Sequence, residues 1–165
     1  MQDILEGYFY NPTKGNLEIS DVLSEIINYI SQKPEKFYDV IVGCDSSSVE
    51  EPHFPLVLAV LRKGEGGRFF LKRVSYGGRK FYNWKQRILE EVLLSCQFAV
   101  HLKEDLNFRL AGLNYEFRYI HADIGESGAT KDMVKELTGL IRGNGFEPKI
   151  KPESFVASSV ADRYS

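Results

Sequence analysis

The sequence predicts an α/β fold: a mixed five-stranded sheet with helices on its faces, preceded by an N-terminal helix. Two observations predict it. Three strand-like runs, 38–45, 55–62 and 68–75, follow one another with no helical pattern between them, as in an antiparallel meander. After them, helical and strand-like patterns alternate to the end of the chain, the mark of parallel crossovers. The length of 165 residues suits one domain with a full core.

Residues 1–36 are read as a helical extension of that domain. Ser20 is the expected N-cap, and Val22, Leu23, Ile26, Ile27 and Ile30 recur at helical spacing until Pro34 stops the element. Val40, Ile41 and Val42 favour the first strand, which ends in Gly43-Cys44-Asp45-Ser46-Ser47-Ser48. The turn Lys63-Gly64-Glu65-Gly66-Gly67 joins the next two strands as a hairpin, and Gly77-Gly78 ends the meander. From Tyr82 to about Lys103, the stripe Trp84, Ile88, Val92, Ser95, Ala99 and Leu102 predicts a long helix. Residues 114–121 form a fourth strand. Thr130 is expected to cap a further helix that carries Met133, Val134, Leu137, Leu140 and Ile141 and closes at Gly143-Asn144-Gly145. A last strand spans 146–151 and is cut by Pro152, and a short helix occupies 153–164.

The composition is that of a soluble globular protein, with no apolar run near the roughly 18 residues of a membrane span. The first residues lack the pattern of a signal peptide, and Cys44 and Cys96 read as buried free thiols, so the cytoplasm is the expected location. A net charge of −2 excludes a general polycation, yet its distribution is uneven. Between Gly66 and Leu89 no acid occurs, while Arg68, Lys72, Arg73, Arg79, Lys80, Lys85 and Arg87 are interleaved with Phe69, Phe70, Tyr76, Phe81, Tyr82 and Trp84. Such a stretch can hold phosphates and stack bases, or it is simply the solvated edge of a strand and helix.

An acid at the mouth of a buried strand is costly unless something cationic or hydrogen-bonding meets it. Asp45 is such an acid, and three others join it by position: Asp123 after the fourth strand, Asp162 on the terminal helix, and Glu91 on the middle helix. Glu91 is preferred to Glu90 because it falls on the sheet-facing stripe, whereas Glu90 shares a face with Arg87, Gln97 and His101 that should be solvated. If the first and fourth strands are parallel neighbours, Asp45 and Asp123 emerge side by side at their carboxyl ends. Two carboxylates about 4 Å apart repel by roughly 4 kcal/mol at a surface-like dielectric, so the cluster calls for protons or a cation. Hard oxygen donors select Mg2+, Mn2+ or Ca2+, and two such ions can activate water and stabilise a leaving oxygen in phosphodiester cleavage. His121 lies two residues before Asp123, where it could assist a leaving group or bind phosphate. Lys131, Lys149, Lys151 and Arg163 lie near the same end and could hold a phosphate backbone. Structural readings stand beside these: strand-end acids capping turns, a helix acid paired with a base, a hydrogen-bonded histidine, solvated lysines.

The order of these acids resembles that of ribonuclease H-like nucleases. More closely, the chain is similar to the YkuK-like family of bacterial proteins assigned to that fold. The matching segments are Thr13-Lys14-Gly15-Asn16-Leu17, Ile41-Val42-Gly43-Cys44-Asp45-Ser46, His121-Ala122-Asp123-Ile124-Gly125, 145–152 and 155–164. The resemblance implies a single ribonuclease H-like domain over 1–165. Through the wider superfamily, it implies a nuclease in which Asp45, Glu91, Asp123 and Asp162 hold two Mg2+ or Mn2+ ions. Arg79, Lys80, Lys85, His121, Lys131 and Arg163 are the expected contacts to RNA or DNA. Two alternatives remain open: a non-catalytic nucleic-acid-binding module of the same fold, and an actin-like reading in which the loop around Asp45 grips phosphate.

Overall fold

The computed structural model describes residues 4–46 and 52–156. Among the described residues, seven strands make one sheet: β1 (Phe9–Asn11), β2 (Gly15–Leu17), β3 (Tyr38–Cys44), β4 (Phe54–Arg62), β5 (Gly66–Val74), β6 (Tyr115–His121) and β7 (Glu147–Lys149). Helix α1 (Ile19–Gln32) lies between β2 and β3, α2 (Trp84–Arg109) between β5 and β6, and α3 (Val134–Gly143) between β6 and β7. The strand order is β2-β1-β5-β4-β3-β6-β7. Pairs β3–β4 and β4–β5 are antiparallel, and β3–β6 and β6–β7 are parallel, so the five expected strands form the mixed sheet.

Two more strands extend it. β1 and β2 form a small antiparallel hairpin whose Tyr10 pairs with Leu71 of β5. Asn11 closes the turn: its Oδ1 accepts from the Thr13 and Lys14 amides, and its amide group donates to the Phe69 carbonyl. The segment before β3 therefore adds strands to the sheet edge as well as a helix.

Alternation along the strands sorts the core into two faces. Val40, Val42, Leu56, Leu58, Val60 and Phe70 share a cluster with the apolar stripes of α1, α2 and α3. Ile41, Val57, Ala59 and Leu71 pack on the opposite face with Val156. All three described helices thus cover one face. Cys44 and Cys96 are buried and unpaired by a disulfide. At the β4–β5 turn Gly67 is required by contact, since a Cβ there would lie 2.4 Å from the Val60 carbonyl oxygen.

Several local expectations are corrected. Helix α1 starts at Ile19 after Glu18, not at a Ser20 cap; the Ser20 carbonyl instead accepts from Arg109 of α2. Helix α2 runs past Lys103 to Arg109 and is capped by Asn83, whose side chain accepts from the Lys85 amide. Thr130 stands at the N-cap of a 3-10 turn, Lys131–Met133, that leads into α3, but its side chain bonds no amide of that turn: its hydroxyl accepts from the Gly125 amide and ties the loop after β6. The terminal helical conformation begins at Val156 and not at Glu153, and the remainder of that expected helix lies outside the described residues.

Candidate metal centre

The sheet register brings two of the acids together. β6 carries one extra residue, Arg118, at a bulge opposite Val40 and Ile41, after which Gly43 aligns with His121. Asp45 and Asp123 each follow two residues later, so the parallel strands deliver them level at their carboxyl ends. Glu91 comes from α2, which packs against β3. Its side of the helix is buried, with Glu91 only 4% exposed and Ser95, one turn on, at 1%.

Ser46 fastens the Asp45 and Glu91 half. Its backbone amide donates to Asp45 Oδ1 at 3.0 Å and to Glu91 Oε1 at 2.8 Å, and its hydroxyl donates to Glu91 Oε1 at 2.7 Å. Arg87, one turn before Glu91, donates to the same hydroxyl oxygen at 3.3 Å. Burial pushes the Glu91 carboxyl up to about 8, with the charges of Asp45 and Asp123 adding to it and the bonds from Ser46 opposing it. Burial also raises the Cys44 thiol well above its ordinary value, aided by Glu91 and Asp45, which keeps it an inert SH.

The other half is held differently. Asp123 Oδ1 meets the Lys151 ammonium at 3.2 Å, and the Lys151 amide donates to the Ile124 carbonyl. Asp162 and Arg163 lie outside the described residues. Among the described residues, no three His, Cys, Asp or Glu side chains are arranged to enclose a metal ion. The donor chemistry nevertheless fits a hard divalent cation. Asp45, Glu91 and Asp123 bring hard oxygen donors from three elements, and the charges of the two aspartates add to the raising of Glu91 by burial.

Glu90 is not on a solvated face. Its carboxylate accepts from the Tyr76 hydroxyl and lies 3.9 Å from Arg79. Arg79 stacks over Phe81 at 4.6 Å and so braces the approach to α2. Lys80, Lys85 and Lys131 are exposed, as are Tyr82 and Trp84 nearby. Lys72, by contrast, serves the fold by donating to the carbonyls of Ile4 and Glu6. His121 is buried; its Nδ1 accepts from the Val156 amide at 3.3 Å, and its ring meets Phe155 edge-on. Burial, reinforced by Lys149, lowers His121 to about 4, so it is a neutral acceptor that moors the terminal segment.

Two contacts escape a reading by spacing alone. Ser46 carries a signal, since it opens a hydroxyl run directly after an acid, but its bond to Glu91 spans 45 residues. The pairing of Lys151 with Asp123 depends on how the chain turns after β7.

An acid after each of two parallel strands, a buried acid on the intervening helix and a core sheet ordered β5-β4-β3-β6-β7 define a ribonuclease H-like architecture. Residues 21–165 match the Ribonuclease H-like family, and the chain belongs to it. It is 30% identical over 166 residues to "Uncharacterized protein YkuK" of Bacillus subtilis (strain 168), covering 95% of this chain and 96% of that one. No solved structure gave a significant match. Membership supports a nuclease-type or nucleic-acid-binding role in general. Among the described residues, no helix is long and apolar enough to cross a membrane.

Proposed function

We propose that the protein is a divalent-cation-dependent nuclease of the cytoplasm, with Asp45, Glu91, Asp123 and Asp162 as the ligating carboxylates. The observation that carries this reading is that Asp45 and Asp123 follow two parallel strands at level positions and that the charges of both bear on the buried carboxyl of Glu91. Mg2+ or Mn2+ held there, as one ion or a pair, would supply a hydroxide nucleophile at neutral pH and charge stabilisation for the leaving oxygen. The chain's own residues do the rest. Ser46 fixes the carboxylates of Asp45 and Glu91 relative to one another, so little reorganisation accompanies binding. Burial of Glu91 excludes water from the inner side of the centre. Lys80, Lys85 and Lys131 offer exposed charge to a phosphate backbone, with Tyr82 and Trp84 as stacking surfaces.

Labelled single-stranded and duplex DNA, RNA and an RNA–DNA hybrid, incubated with Mn2+, test the reading. Wild-type protein cleaves at least one of them, and Asp45→Asn abolishes that cleavage; an unaffected rate removes the proposal. The ion pair between Asp123 and Lys151 favours a second reading, a binding module that keeps the fold without turnover. It predicts salt-sensitive binding of the same oligonucleotides and no Mn2+-dependent products.

A further inference from the structure

Lys149 ends β7 and Lys151 follows two residues later, but their ammonium groups serve different partners. Lys149 lies over the Tyr119 ring at 4.6 Å and within 3.4 Å of Glu153. Lys151 turns to Asp123. Its backbone is fixed beside the loop after β6 by the bond to the Ile124 carbonyl, and its stem crosses Gly125. A Cβ on residue 125 would sit 3.3 Å from Lys151 Cβ, so a glycine there lets the lysine lie close. The side chain is 55% exposed and borders an open concavity whose charged lining also includes Lys149 and the acids Glu126 and Glu153.

We infer that Lys151 is a built-in counter-ion which a divalent cation must displace from Asp123, and which then presents its exposed ammonium to a phosphate of the bound strand. The inference rests on the metal-dependent reading above and adds a coupling to it. Metal and lysine compete for one carboxylate, while metal and nucleic acid cooperate, because loading the ion frees the ammonium for phosphate. Lys151 is therefore a positioning residue whose loss acts with opposite sign on two ligands.

The test is a Mn2+ titration, by calorimetry or by the electron paramagnetic resonance of free Mn2+, of wild type, Lys151→Met and Lys151→Arg. Removing a positive charge that touches a ligating carboxylate is expected to tighten Mn2+ binding by about tenfold at low salt, while the arginine variant stays near wild type. In Mn2+ short enough in exposure to limit cleavage, K151M should bind labelled oligonucleotide more weakly, with a salt slope shallower by about one. Gly125→Ala, which crowds the lysine stem, should shift both affinities in the same directions as K151M, to a smaller extent. Equal Mn2+ affinity in wild type and K151M overturns the counter-ion role and leaves the metal centre standing. Weaker Mn2+ binding by K151M overturns it too, by making the lysine a support of the site. Absence of Mn2+ binding in both proteins overturns the metal-dependent reading itself and the inference with it.

Discussion

The two halves of the candidate centre are built on opposite plans. Around Asp45 and Glu91, a buried carboxyl and a half-buried one are met by a serine, with hydrogen bonds of 2.7–3.0 Å from Ser46. Around Asp123, charge is more open and met by a flexible lysine. The first half is preorganised and deep, and burial, with the charges of Asp45 and Asp123 adding to it, pushes the Glu91 carboxyl up to about 8. The second is relieved but not rigid. A cation bound as proposed would meet fixed carboxyl groups in the first half and would compete with Lys151 in the second.

Removing an acid from either half is the strongest way to break this comparison. Asp45→Asn and Asp123→Asn are each expected to lower Mn2+-dependent cleavage by at least about a hundredfold, read as initial rates on labelled oligonucleotides. A loss in D45N alone would mean that Asp123 serves only Lys151.

Next in size is the pH dependence of stability without metal. Glu91 is raised from 4.5 to about 8, so the folded protein holds a proton that the unfolded chain has released. Its contribution is full below about pH 4.5 and is lost as pH rises through 8. His121 works the other way: lowered from 6.5 to about 4, it costs stability as pH falls through that window and is silent above it. Between pH 6.5 and 8 the Glu91 slope therefore stands alone. Denaturant unfolding in chelator should show a fall of about 2 kcal/mol over that range, and Glu91→Gln should flatten it.

Smaller still is Ser46→Ala. It keeps the backbone donor and removes the hydroxyl bond to Glu91, so stability at neutral pH should drop by about 1 kcal/mol. The pH-stability midpoint should move up, because a bond that favours ionised Glu91 is gone. The mildest effects belong to the exposed approach. Lys80→Ala and Lys85→Ala should each reduce the salt slope of nucleic-acid binding by about one without altering Mn2+ affinity.

Much of this arrangement is legible in the residues, and what is not has physical reasons. The five runs of the mixed sheet carry strong period-two or continuous apolar signals, and their bounds move by only a few residues. The hairpin of β1 and β2 carries no periodic signal, because three-residue strands are too short for any period to emerge. Helical spacing put Glu91 toward the sheet, where it is buried, yet the same spacing set Glu90 in solvent. Glu90 is instead half-buried beneath Tyr76, a residue from outside the helix that no helical wheel can include. Likewise, the level alignment of Asp45 with Asp123 depends on the bulge at Arg118, and a bulged residue looks ordinary in sequence. The pairing of Lys151 with Asp123 joins two turns, which lie beyond the reach of periodicity.

The central claim is that Asp45, Glu91 and Asp123 converge on a divalent cation. A crystal soaked in Mn2+ and measured at an anomalous wavelength tests it most directly. The expected result is an anomalous peak bridging Asp45 and Asp123, with the Lys151 ammonium moved off Asp123. Carboxylates with no peak between them, and Lys151 still on Asp123, would contradict it.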